Sequence, residues 1–83
     1  MPKNYRIISR GTAVREARIK SNLSPEELAS KANISRTTLS QIENGYATSV
    51  ETAHRIANVV RQGFEALFEI VSKNSGNGDD PST

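Results

Sequence analysis

An all-α domain, a compact bundle of about five short helices, is what this 83-residue sequence predicts. Three observations carry that expectation. Apolar residues recur at three- and four-residue spacing rather than in alternation, which is the period of a helix with one buried face. Hydroxyl residues that cap helices (Ser24, Ser35, then Thr48 or Ser49) stand immediately before those periods. The joints between them are short and carry residues tolerant of a left-handed backbone, Asn22, Asn33, Gly45 and Gly63.

Composition bounds the rest. A chain of 83 residues supports one small domain, and its aromatic content is limited to Tyr5, Tyr46, Phe64 and Phe68. Without cysteine there is no disulfide, no thiol chemistry and no Cys-based zinc site, which suits a reducing cytoplasm. No apolar run approaches the ~20 residues of a membrane span, and no signal-peptide core is visible. The net charge is only +2, but residues 1–20 hold Lys3, Arg6, Arg10, Arg15, Arg18 and Lys20 against Glu16 alone. The positive potential is therefore gathered at one end, as expected where a chain faces a polyanion.

In chain order, residues 1–11 read as a basic arm. Its Tyr5-Arg6-Ile7-Ile8 is β-prone but too short to be a sheet alone. Two roles stay open for it: packing on the domain, or pairing with the arm of a partner. The folded domain is expected over residues 12–72. A first helix starts between Ser9 and Thr12, turns Val14 and Ala17 inward, and stops at Asn22. The second opens on Ser24, with Pro25 at its first position and Glu27 placed to close a capping box. Leu28, Ala29 and Ala32 share its inner face, and Asn33 stands where it must stop. The third runs from the Ser35 cap to Gly45. A fourth opens at Thr48 or Ser49, where Thr48-x-x-Glu51 could form a second capping box, and carries Val50, Ala53, Ile56, Ala57 and Val60 as its stripe. His54, the single histidine, lies on the opposite side without a metal or nucleophile partner. After Gly63, a last helix is expected over about Phe64 to Val71. Residues 73–83, polar and rich in Gly, have nothing to bury and are expected to be disordered.

The third helix carries the chemistry. At about 100° per residue, Leu39 and Ile42 fall on one side and Arg36, Thr37, Ser40 and Gln41 on the other. That outer face has no acid and no large apolar residue. A guanidinium, an amide and short hydroxyls are the groups that read base edges: Arg matches guanine O6/N7, and Gln matches adenine N6/N7. Two helices on a tight turn, with the polar face on the second, make a major-groove reader. Ser35 and Ser40 support the readout by Arg36, Thr37 and Gln41, while the amides near Ser24 can meet a phosphate and Arg15 can pair with one.

The motif itself, Leu23-Ser24-x-Glu26-Glu27-Leu28-Ala29 followed by Ile34-Ser35-Arg36-x-x-Leu39-Ser40-Gln41-Ile42-Glu43-Asn44-Gly45, resembles the Cro/phage-repressor (XRE) helix-turn-helix family. The resemblance spans about Val14 to Phe68 and implies a lambda-repressor-like DNA-binding domain. It further implies that Asn44 and Tyr46 hold the DNA backbone and that Arg18 pairs with Glu43. The wheel supports the pair separately, since Glu43 lies at the flank of the apolar stripe, where a lone carboxylate would be costly. The sequence departs from the family at three points: Pro25 replaces the usual Gln, Asn33 stands where Gly is commonest, and the loop Tyr46-Ala47-Thr48 is about one residue short.

The expected function is therefore sequence-specific binding of double-stranded DNA by a cytoplasmic transcriptional regulator, a repressor. A protein-interaction module, antitoxin-like, is the alternative. No acid pair, Ser/His/Asp set, metal-ligand cluster or glycine-rich phosphate loop is present, so no catalytic residue, metal or cofactor is expected. A homodimer on a pseudo-palindromic site is expected from the last helix. On a helical wheel Phe64, Leu67, Phe68 and Val71 fill the inner stripe, while Ala66 and Ile70 extend the apolar arc past it. Ala66, Leu67, Ile70 and Val71 are the resulting candidate interface, and a two-fold pair reads two half-sites about one helical turn apart.

Overall fold

The computed structural model describes residues 5–72. The expected 73–83 tail and the first four residues of the arm lie outside them. The elements run β1 (Tyr5–Ser9), α1 (Ala13–Lys20), α2 (Pro25–Ala32), α3 (Arg36–Glu43), α4 (Val50–Val60), α5 (Phe64–Leu67) and β2 (Phe68–Ser72). Five helices form as the periodicity requires, joined by a two-stranded antiparallel sheet that the sequence reading did not contain.

That sheet corrects the extent of the last helix and seats the arm on its own domain. The last helix does not reach Val71: it ends at Leu67, and Phe68 passes directly into extended backbone at φ −128°, ψ 156°. Phe68, Ile70 and Val71 are aromatic or β-branched and favour a strand once a partner strand is at hand. The partner is the arm, which pairs Tyr5 with Ser72 through Ser9 with Phe68. Neither five-residue strand is viable alone, and each supplies the other's hydrogen bonds. On its second edge β1 meets the loop after α3, where the Thr48 amide donates to the Ile7 carbonyl at 2.9 Å. Arg10 then fastens the end of β1: its amide donates to the Leu67 carbonyl at 2.8 Å, and its Nε to the Glu65 carbonyl at 2.7 Å.

The core gathers Val14 and Ala17 from α1, Leu28, Ala29 and Ala32 from α2, Leu39 and Ile42 from α3, and Ala53, Ile56, Ala57 and Val60 from α4, closed by Leu67 and Phe68. Leu23, Ile34 and Phe64 pack at its edge. Ile7, read from the sequence only as part of the arm, is just 2% exposed, because β1 lays it over the helices. Val50, placed by periodicity on the apolar stripe of α4, is 43% exposed at the first turn of that helix.

The helix ends follow the capping logic. Around Ser24 the capping box is complete, and Asn33 ends α2 in the left-handed region at φ 60°. The cap of α4 is Ser49 rather than Thr48, whose amide the sheet uses; the Ser49 hydroxyl accepts from the Thr52 amide at 3.1 Å. At the other end of α4 the left-handed residue is Arg61 at φ 60°, while Gly63 sits at an ordinary φ of −70° as the N-cap of α5.

Candidate nucleic-acid interface

α3 is held from below and from the side. Leu39 and Ile42 are each 1% exposed and root it in the core. At its far end Arg18 Nε donates to Glu43 Oε2 at 2.9 Å, both side chains being 15% exposed or less, and Arg18 Nη1 donates to the Leu23 carbonyl at 3.1 Å. One guanidinium thus ties α1, the loop before α2 and the end of α3 together.

With the inner face fixed, Ser35, Arg36, Thr37, Ser40 and Gln41 all lie exposed on the outer one. Ser35 is occupied, however. Its hydroxyl accepts from the Thr38 amide at 3.0 Å and donates to Thr38 Oγ1 at 2.8 Å, so it starts the helix rather than standing free. Among the described residues the side chains of Thr37, Ser40 and Gln41 make no hydrogen bond, which leaves their donors and acceptors available to a ligand.

Two open clefts flank this face. Arg15 and Arg36 line the first with Pro25, Leu39, Ser40 and the Arg18–Glu43 pair. The second, beyond the far end of α3, is lined by Gln41, Asn44, Gly45, Tyr46, Ala47 and Arg6. Arg6 is the residue that sequence reasoning missed as an individual. It was visible only as part of a basic arm, and the bridge between β1 and Thr48 is what sets it beside Asn44 and Tyr46. A cation therefore stands near each end of α3.

The start of α2 is less open to an anion than its capping residue suggested. The Ser24 amide donates to Glu27 Oε1 at 2.8 Å, and the Ser24 hydroxyl accepts from the Glu27 amide at 3.1 Å. Pro25 has no N–H, so the Glu26 amide is the remaining free donor of the first turn among the described residues. Glu26 also meets α3: its Oε2 lies 3.5 Å from Arg36 Nε.

Of the residues assigned to a dimer interface, Ala66 and Ile70 are exposed, Val71 is half-buried, and Leu67 is 1% exposed in the chain's own core. Leu67 is therefore removed from that set, because the helical arc that placed it beside Ile70 ends at Leu67 itself. Among the described residues no group of His, Cys, Asp and Glu could hold a metal ion, and no helix is long and apolar enough to cross a membrane.

A fold of this kind, two helices on a tight turn with a polar, exposed outer face on the second, defines a helix-turn-helix protein. The helix-turn-helix family model matches residues 14–65, and the chain belongs to that family, of XRE type, a family of DNA-binding transcriptional regulators. An uncharacterized HTH-type transcriptional regulator of Archaeoglobus fulgidus is 40% identical over 58 residues, a span of 69% of this chain and 83% of that protein. The crystal structure of transcriptional regulator VanUg matches with a TM-score of 0.63 at 14% identity, over 86% of this chain and 92% of that one, a likeness of fold.

Proposed function

We propose that this protein binds double-stranded DNA sequence-specifically and acts in the cytoplasm as a transcriptional repressor, as a homodimer on a pseudo-palindromic operator. One observation carries the DNA reading: the exposed side of α3 presents Arg36, Thr37, Ser40 and Gln41 without an acid among them, on a helix fixed by Leu39, Ile42 and the Arg18–Glu43 pair. Arg36 and Gln41 are the bidentate readers, of guanine and adenine respectively. Asn44, Tyr46 and Arg15 hold phosphates on either side, and near Ser24 that part falls to the Glu26 amide. The dimer reading rests on Ile70, which is 61% exposed and, with Ala66, offers the apolar surface a second copy would cover.

The test is selection of bound duplexes from a random pool, followed by single-base variants of the selected site. Arg36→Ala and Gln41→Ala are each expected to weaken specific binding by about 1–3 kcal/mol and to relax preference at one base position. Full retention of preference by both variants would show that α3 is not the reading element. A selected site without two related halves would count against the dimer.

A further inference from the structure

The contact between Glu26 and Arg36 places a carboxylate where a DNA-binding surface is expected to be positive. Glu26 Oε2 lies 3.5 Å from Arg36 Nε, with the two side chains 72% and 53% exposed. Arg36 is the first residue of α3 and Glu26 belongs to the first turn of α2, so the pair bridges the two helices of the motif at its outer surface. The neighbourhood offers a phosphate few donors. Glu27 stands beside Glu26, Pro25 contributes no donor, and the Ser24 amide and hydroxyl are spent on the capping box. A phosphate arriving at Arg36 would therefore meet the Glu26 carboxylate at close range.

From this geometry we infer that Glu26 is a specificity-determining positioning residue: it holds Arg36 for a guanine and keeps it from settling on a phosphate. The inference rests on the DNA-binding reading above. A guanidinium has two usable edges. With the carboxylate on the Nε side, Nη1 and Nη2 remain, and among the described residues they make no hydrogen bond. That free edge carries two parallel donors, which match guanine O6 and N7. In water an exposed ion pair is weak, but docking on DNA excludes solvent from it and strengthens the attraction. On unrelated DNA the same carboxylate neutralises Arg36, so the arginine adds little to non-specific binding. Glu26 thus works against the wrong sequences as much as for the right one.

The experiment compares the wild-type chain, Glu26→Gln, Arg36→Ala and the double variant. Each is measured on a duplex selected by the wild type and on an unrelated duplex of equal length, over a range of salt. Glu26→Gln keeps the size of the side chain and an acceptor oxygen while removing its charge, and its exposure makes it harmless to the fold. Affinity for the unrelated duplex should rise, and its salt dependence should steepen by about 0.9, the increment for one phosphate neutralised. The ratio of selected to unrelated affinity should fall about fivefold, the lower end of what one bidentate base contact discriminates. In the Arg36→Ala background, Glu26→Gln should leave the salt slope unchanged. Equal shifts on both duplexes, or a slope change that persists without Arg36, would overturn the role of Glu26 alone. A wild-type chain with no preference among duplexes would overturn the DNA reading and this inference with it.

Discussion

Arg18 and Glu43 illustrate how one pair of side chains sets the position of an entire reading face. Their Nε–Oε2 separation is 2.9 Å, and neither side chain is more than 15% exposed. Removing one partner leaves the other charge largely buried and unpaired, which costs far more than losing an exposed pair. Arg18→Ala and Glu43→Ala should each lower stability by more than about 1 kcal/mol, above the range of exposed pairs. The double variant should cost clearly less than the sum of the singles in chemical denaturation. Simple additivity would mean that the two do not stabilise each other. The Glu26–Arg36 contact, at 3.5 Å and well exposed, is of the other kind: its importance lies in recognition rather than stability.

At the scale of elements, the sheet is the feature with the largest consequences. It converts the arm from an appendage into a structural strand and buries Ile7 to 2% exposure, while Val50 is left 43% exposed. Ile7→Ala should therefore destabilise the domain by about 2–5 kcal/mol, as a large-to-small change in a packed core does. Val50→Ala should cost less than about 1 kcal/mol, because most of its surface already meets water. Thermal or denaturant unfolding of the two variants separates a core that includes the strand from one built of helices alone. Equal small losses would mean that β1 does not pack. The helix ends show a related point. Arg61 takes φ 60° at the end of α4 although a glycine follows two positions later, so termination is fixed by where the next segment must go and not by the nearest permissive residue.

For the molecule as a whole, the proposed contacts with DNA and with a second copy fall on the two clefts beside α3 and on the exposed Ile70. Arg6 lines the cleft with Asn44 and Tyr46 just past the end of α3, whereas Arg36 is the first residue of that helix. If it meets a phosphate there, Arg6→Ala should weaken binding to all sequences alike and reduce the salt slope by about 0.9. A slope identical to wild type would remove Arg6 from the interface. Ile70→Glu should shift sedimentation toward the monomer and weaken binding to the selected site, leaving the helical circular dichroism largely intact. A variant that stays dimeric and binds normally would place the interface elsewhere. Ile70 lies directly across the sheet from Ile7 and on the same face, so a partner covering it would extend the apolar layer that Ile7 begins.

The local grammar of this chain was legible from its residues. Caps at Ser24 and Ser35, the left-handed stop at Asn33 and the stripes of α1 to α4 are all short-range features, set by groups within about one helical turn of one another. The outer face of α3 was legible for the same reason, because helical spacing alone assigns Leu39 and Ile42 to one side and Arg36, Thr37, Ser40 and Gln41 to the other. What required tertiary structure was every decision made by a distant partner. Phe68 to Ser72 satisfies a helical period as well as a strand. Only the arrival of Tyr5 to Ser9, some sixty residues away, supplies the backbone hydrogen bonds that settle the choice. The same arrival buries Ile7 and sets Arg6 beside Asn44 and Tyr46. The tight turn likewise brings Glu26 to Arg36 across two helices whose separate patterns say nothing of each other. Sequence periodicity ranks the faces of one element; it carries no information about which element will lie against them, because that is fixed by the free energy of the whole packed chain.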